Sequence, residues 1–396
     1  QHCMGRSHPE SSEINARNKR NWYFMKIAVI GTRGIPDIQG GIETHCQQLY
    51  PRLQEDGFQI IVFARRKYLK KQTPYDYKGV RVIPSYALQS ASLEAISHTF
   101  HCLLLTLKLK PDIVHIHGIG PAIFTPLFRL LGVKVIYTHH GQDYMRAKWG
   151  NIAKTTLKCG ERLGTKFASK IIVISHYLDS FLKTHYKTSK TILIHNGVEI
   201  DKTTIPNEKE LLSRFNLKPQ KYILACGRLV KEKAFHDLIA AYSNLSSELK
   251  SEYKLVIAGS ADHEDPYSKK IKSEATQAGV TLTGFISGDV LKAVQKNAKL
   301  FVLPSYHEGL PIALLEALSY NLDIIASDIP ANTEVPLPKQ HFSPVGDIPA
   351  LSKKIEEHLL SSTNHDFHQI IHDYYNWDSI AKQTASLYRE IGKQQG

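Results

Sequence analysis

Along this chain, short apolar runs alternate with longer segments in which apolar residues recur every three to four positions. The short runs predict strands over Lys26–Gly31, Gln59–Ala64, Val80–Pro84, Asp112–His117, Lys134–Thr138, Lys170–Ser175 and Thr191–His195. A second series follows at Tyr222–Gly227, Lys254–Gly259, Val280–Phe285, Lys299–Pro304 and Asp323–Ser327. Between them the helical period predicts helices over Gly41–Asp56, Leu93–Leu109, Asn151–Ala168, His176–His185 and Phe235–Leu245, with a last one from about Trp377 to Ile391. Strand–helix alternation of this kind is the pattern of parallel α/β architecture. Asn196-Gly197 is a turn signal, and Val198–Lys221 is polar with Pro206 and Pro219, so the chain divides there into an N-terminal unit (25–200) and a C-terminal unit (201–375).

With 396 residues, the chain can build two domains with substantial cores. Its 42% hydrophobic and 22% charged residues fit an ordinary globular protein. The most apolar helical stretch, Leu93–Lys110, is interrupted by His98, His101 and Lys108, so no spanning helix is expected. Gln1–Phe24 is polar and basic without an apolar h-region; it reads as a poorly ordered upstream segment and not a signal peptide. Five scattered cysteines without a CxxC pair are expected to be reduced thiols in a cytoplasmic setting. The formal net charge of +13 favours anionic partners: nucleotide diphosphates, lipid diphosphates, an acidic membrane face or nucleic acid.

The chemistry concentrates after the strand-like run Lys299–Ser305. A loop carrying Glu308, Gly309 and Leu310 leads to Pro311, a residue suited to the first turn of a helix. The start of a helix after a strand is an anion site, with free amides and the positive dipole end. Glu316 is the only charge between Leu310 and Leu318, and a carboxylate in such a setting needs hydrogen-bond partners. A ribose with two adjacent hydroxyls would supply them. Upstream, Gly227 ends a strand and clears space for close backbone approach, while Arg228 and Lys233 supply two cations for a diphosphate. Gly40 and Gly41 open the first helix, where their amides can face donor phosphates or the acceptor; no GxGxxG follows the strand.

The Glu308–Glu316 spacing resembles the E-x7-E element of retaining family-4 glycosyltransferases, whose GT-B fold pairs two Rossmann-like domains across a central cleft. The resemblance runs over nearly the whole chain from Met25. It is nearest to a bacterial subgroup with a GTRGIP-like N-terminal segment that acts in O-antigen, capsule or exopolysaccharide assembly. Cys226-Gly227-Arg228 with Lys233 resembles the family's G-R-x4-K-G element, with Ala234 in place of the glycine, and Gly40-Gly41-Ile42-Glu43 resembles its G-G-x-E loop. Thr138-His139-His140 matches the family's T-x-H pattern and implies that His140, not His139, is the active-site histidine. His115 and His117 read as core residues or supports behind the site, and no histidine and carboxylate set has metal spacing.

The resemblance implies a nucleotide-diphospho-sugar donor, with UDP the first expectation, and a saccharide or polyprenyl-diphosphate-linked acceptor. Neither a metal nor a cofactor is expected. Glu316 would hold the ribose, and Glu308, with the Gly309 and Leu310 amides, would contact the sugar. Arg228, Lys233 and the following helix would stabilise the leaving diphosphate. Donor selectivity is expected around Glu308 and Ser260-Ala261-Asp262. Segment 376–396 would cross back onto the first domain. A sugar-nucleotide epimerase or hydrolase on the same scaffold is the alternative. A nucleic-acid-binding protein is a more distant one, since no recognition helix or aromatic platform accompanies the basic charge.

One feature lies outside the family pattern. Lys154, Lys158, Arg162, Lys166 and Lys170 recur every four residues and predict a basic stripe on one helix, relieved in sequence only by Glu161. Such a stripe is either a solvated face or a surface for anionic lipid headgroups or a lipid-linked acceptor, and Arg65-Arg66-Lys67 with Lys70-Lys71 would extend it.

Overall fold

The computed structural model describes residues 25–89, 93–145, 149–200, 204–261, 264–361 and 364–393. The upstream segment Gln1–Phe24 and the candidate selectivity residue Asp262 lie outside the described residues.

The strands form two sheets. The first contains β1 (Lys26–Ile30), β2 (Gln59–Arg65), β3 (Tyr75–Tyr77), β4 (Val80–Ser85), β5 (Ile113–His117), β6 (Lys134–His139), β7 (Lys170–Val173) and β8 (Thr191–Leu193). Their spatial order is β3-β4-β2-β1-β5-β6-β7-β8. All pairs are parallel except the short edge strand β3, which runs antiparallel to β4. The second sheet has order β11-β10-β9-β12-β13-β14 and is parallel throughout. It is made of β9 (Tyr222–Cys226), β10 (Lys254–Ala258), β11 (Thr281–Gly284), β12 (Leu300–Leu303), β13 (Asp323–Ser327) and β14 (Phe342–Ser343).

Apolar residues dominate the central strands because each sheet is covered on both faces, although β5 also buries His115 and His117. In β1, Ile27 and Val29 enter one buried layer while Ala28 and Ile30 enter the other. In β9, Tyr222, Leu224 and Cys226 face one layer, and Ile223 and Ala225 the opposite one. The layer holding Ala28 and Tyr222 runs continuously through both domains.

Part of the polar stretch after Val198 is folded. Glu208–Ser213 is helical, and Glu208 receives the Asn297 side-chain amide (2.8 Å) and the Lys296 ammonium (3.4 Å) of the second domain. The chain crosses back where Val198 bridges Asn376, and the helix Trp377–Lys393 packs on the N-terminal domain. There Arg52 meets Asp378 at 3.0 Å, Arg389 meets Asp56 at 2.6 Å, and the Lys134 ammonium donates to the Ile391 carbonyl at 2.8 Å.

The basic stripe is shorter than its sequence spacing predicts. The helix ends at Phe167, and Lys170 opens β7, where it pairs with Glu390 at 3.3 Å. Lys154 is half-buried, leaving Lys158, Arg162 and Lys166 exposed. Glu161 does not offset them. It is buried on the opposite face, where Gly160 and Gly164 let the helix sit against Ile119 and Ala122. No helix among the described residues is long and apolar enough to cross a membrane.

Candidate active site

Ligands of open parallel sheets bind beyond the carboxyl ends of the strands. Here the two sets of strand ends face each other across a cleft of about 1380 Å³. All ten residues singled out for donor or sugar contact line it: Gly40, Gly41, His140, Gly227, Arg228, Lys233, Glu308, Gly309, Leu310 and Glu316. The basic stripe does not; the cleft takes Asn151, Ile152, Thr156 and Leu157 from that helix instead.

On the C-terminal wall, β9 delivers Gly227 and Arg228, and a single turn at Lys231–Lys233 turns the Lys233 side chain back toward the cleft. The Lys233 ammonium reaches Oε1 of Glu308 at 2.5 Å, and the Ser305 hydroxyl donates to the same oxygen at 2.6 Å. One carboxylate oxygen is thus saturated, and the group is held in one orientation. The helix Ile312–Ser319 follows, with Pro311 at its N-cap rather than inside its first turn. Glu316 is half-buried, one turn along this helix. Its Oε2 accepts from the Gln295 side-chain amide at 2.7 Å, and burial pushes its carboxyl above the usual range despite that bond. Phe285, Ile286 and Leu291 add apolar lining to the same cleft.

On the N-terminal wall, a Cβ built on Gly40 would lie 2.0 Å from the Glu43 carboxylate, which is folded over the loop and accepts the Arg33 amide at 2.9 Å. A Cβ on Gly41 would meet nothing within 4 Å, so this helix start opens directly onto the cleft. His139 and His140 at the end of β6 separate cleanly. His139 is fully buried; its Nε2 donates to Glu161 at 2.8 Å while its Nδ1 accepts from the Gly141 amide at 3.2 Å. His140 turns into the cleft, with its Nε2 2.8 Å from Nδ1 of His117. Behind it, His117 contacts the Tyr50 hydroxyl, and His115 bonds Tyr388 and Thr138, each at 2.6 Å. His45 packs edge-on against His140, with ring centroids 5.1 Å apart. Burial depresses the whole group: His45 falls to about 4 and His115 to about 3, and His117 and His140 lie well below the usual imidazole value. These rings are neutral at pH 7.

The two walls touch. A Cβ on Gly309 would lie 2.0 Å from the His140 carbonyl oxygen, so the donor loop rests on the histidine's own backbone. Asn196 bridges them again: its carbonyl oxygen accepts from Nδ1 of His45 at 3.0 Å, and its amide donates to the Leu310 carbonyl at 3.1 Å. Glu334 of the second domain accepts the amides of His176 (2.6 Å) and Tyr177 (3.4 Å) at the start of an N-terminal-domain helix. The Ser260 hydroxyl donates to the side-chain carbonyl of Gln39, a cleft-lining residue of the other domain, at 3.0 Å. Asn196, Gln295 and His45 carry site geometry that no spacing announces; Asn196 reads in sequence only as half of a turn signal.

Comparisons with known proteins agree with this architecture. Residues 39–202 match the model "Glycosyltransferase Family 4", and residues 208–387 match "Glycosyl transferases group 1". An uncharacterized glycosyltransferase of Methanocaldococcus jannaschii is 25% identical over 404 residues, covering 92% of this chain and 98% of the relative. A capsular polysaccharide biosynthesis glycosyltransferase of Staphylococcus aureus is 26% identical over 253 residues, covering 61% and 67%. Among solved structures, a sucrose-phosphate synthase from Thermosynechococcus elongatus superposes with a TM-score of 0.80 at 20% identity, covering 94% of this chain and 100% of that one. The Anabaena protein HepE in complex with UDP-glucose gives 0.74 at 16% identity, covering 92% and 100%. Two facing parallel sheets, a shared cleft and two family matches spanning both domains place the chain among the family-4 glycosyltransferases of GT-B fold.

Proposed function

We propose that this glycosyltransferase is a retaining enzyme that takes a sugar from a nucleotide-diphospho-sugar, UDP-linked in the first instance, and works in cell-surface polysaccharide synthesis. The observation that carries the reading is the arrangement across the cleft. Lys233 and Glu308 pair beneath a helix start, Glu316 lies one turn deeper, and neutral His140 faces them from the other domain. In this reading the Ile312 helix start, Arg228 and Lys233 take the diphosphate, where leaving-group charge develops and fixed groups act most strongly. Glu316, held by Gln295, accepts the ribose hydroxyls. The second oxygen of Glu308 faces the sugar together with the Gly309 and Leu310 amides. A neutral His140 positions the sugar without adding positive charge beside a developing cation. This division of labour assigns no step to a metal or cofactor. HepE, of similar fold, binds UDP-glucose, which supports UDP as the first donor to try.

The acceptor reading is a saccharide or lipid-linked saccharide entering past Gly41 and the Asn151 helix. Peripheral contact with the inner, anionic membrane face is part of it. Lys158, Arg162 and Lys166 are exposed on the N-terminal domain, which also exposes Phe100, Leu104, Leu107, Leu130 and Ile152. Basic and apolar groups together suit a headgroup interface. Nucleic acid is not a proposed partner.

A thermal-shift panel of UDP, GDP, dTDP and ADP on wild type and Glu316→Ala tests the donor site. Ligand at a hundredfold over Kd adds about 2.7 kcal/mol to stability. One nucleotide stabilising wild type but not the variant is expected; no shift with any of them refutes the reading. Product analysis with the matching labelled nucleotide-sugar then separates transfer from acceptor-free hydrolysis, and a product linkage with the donor's own anomeric configuration separates retention from inversion.

A further inference from the structure

We propose that the C-terminal domain holds a structural zinc ion on the sheet edge opposite the cleft, bound by Asp323, His341, His358 and His365. Asp323 opens β13, so it sits at the amino end of the strands, away from the loops that form the active site. The other three come from separate places. His341 precedes β14, His358 lies near the end of the helix Ile348–Leu360, and His365 sits in the segment leading to the helix His368–Tyr374.

These groups converge on one carboxylate. Oδ1 of Asp323 lies 2.8 Å from Nδ1 of His358, 3.2 Å from Nε2 of His365 and 3.9 Å from Nδ1 of His341. The same oxygen accepts the Ile324 amide at 2.9 Å. Asp323 is 6% exposed, and its other oxygen, Oδ2, is buried with no hydrogen-bond partner. Leaving a buried carboxylate oxygen bare while crowding imidazoles around its twin is costly, unless a cation shares the group.

Hydrogen bonding on the outer sides of the rings points the same way. Nδ1 of His341, the atom 3.9 Å from Asp323, also faces the Ile324 carbonyl at 2.8 Å; a carbonyl only accepts, so Nδ1 carries the proton and the ring would offer Nε2 to the ion. Nε2 of His358 faces the Gln340 carbonyl at 3.4 Å, which leaves Nδ1, the atom beside Asp323, to act as donor or ligand. Ring nitrogens anchored on backbone carbonyls are the usual outer support of metal-binding histidines.

One ligand atom each from Asp323, His341 and His358 already lies within 4.8 Å of the others. Tetrahedral zinc with bonds of about 2.0–2.1 Å needs ligand atoms roughly 3.3 Å apart, so small side-chain movements suffice. Imidazole and carboxylate donors suit zinc, whereas calcium and magnesium prefer all-oxygen sites. His358 and His365 are each 12% exposed, which gives the ion a way in. Bound there, zinc would pin the segment around His365 to the sheet, just before the chain crosses back to the other domain.

The test uses the full-length, tag-free protein, stripped with chelator and titrated with Zn²⁺ against a metallochromic competitor, with Tm followed in parallel. One equivalent per chain and a rise in Tm are expected for wild type. His358→Gln and His365→Gln should each weaken binding by at least about 100-fold, since losing a ligand costs no less than losing an outer-shell partner. The double variant, verified as folded by circular dichroism, should lose both the equivalent and the Tm rise. Cobalt should give the visible bands of a tetrahedral site in wild type only. Failure of wild type to take up stoichiometric zinc overturns the proposal, and so does a full equivalent retained by the double variant, whatever other residues hold it.

Discussion

Replacing Gly309 by alanine tests whether contact between the two domains, and not merely the presence of the named residues, makes the site. The new methyl carbon would lie 2.0 Å from the His140 carbonyl oxygen and 3.0 Å from its carbonyl carbon. Real Cβ contacts stay beyond 3.0 Å, so the loop and β6 must separate by about 1 Å; both atoms it meets are backbone, and neither can rotate away. The clash lies between domains, so each core remains packed and the separation falls on the cleft. A misplacement of that size costs roughly 10²-fold in rate, or about 2.7 kcal/mol of barrier. The expected result is a kcat/KM lowered about 100-fold with whichever nucleotide-sugar the thermal-shift panel selects, and a ligand-free Tm within a few degrees of wild type. Small-angle scattering should report a more open particle. A variant within threefold of wild-type activity would refute the reasoning, because the contact would then be incidental to the working conformation. Global unfolding would refute it differently, by placing the contact in a folding core.

Glu316→Gln should separate stability from function. Burial raises the carboxyl pKa, so the folded state binds a proton more readily than the unfolded chain, and stability declines as pH rises from the ordinary carboxyl value through the raised one. The variant is therefore expected to melt above wild type at pH 7–8 without nucleotide, and to lose the nucleotide-induced shift. The histidine cluster predicts the opposite slope at acid pH. His45 and His115 fall from 6.5 to about 4 and about 3, so stability is lost as pH drops below 6.5 toward those values. Each contributes about 1.4 kcal/mol per pH unit while only the unfolded chain is protonated. Denaturant titrations at stepped pH should show that steepness, and His45→Gln should reduce it by one histidine's share. Glu334→Ala removes the carboxylate that receives the His176 and Tyr177 amides from across the interface. Loss of such a cap costs about 1–2 kcal/mol, which should appear as a raised KM and a wider particle in scattering.

Local sequence determined most of what is local. Apolar runs locate the main strands, because a strand covered on both faces is mostly apolar, and β9, β12 and β1 beyond Lys26 read this way. The loop from Glu308 through Pro311 is legible for the same reason: a strand end, a glycine and a helix start occupy a dozen residues, and their chemistry needs no distant partner. The helix end near Phe167 and the strand from Lys170 were legible too, but the extent of the basic stripe was not. Lysines at four-residue spacing run on to Lys170, which already belongs to the next strand, and tertiary packing supplies its partner Glu390 from more than 200 positions away. Glu161 likewise reads as a surface charge, until packing turns it toward His139. Edge strands β3 and β14, only three and two residues long, carry too little apolar signal to be found.

What tertiary structure alone decided is everything that depends on two distant segments meeting. Gln295 beneath Glu316, Asn196 between His45 and Leu310, Gly309 on the His140 backbone and the convergence on Asp323 join residues whose separation in sequence follows no period. A sequence records each side chain's own preference for water or core. It does not record which partner satisfies a buried polar group, because that partner is chosen by how whole layers pack. Here one layer continues through both domains, and that packing sets the spacing across the cleft.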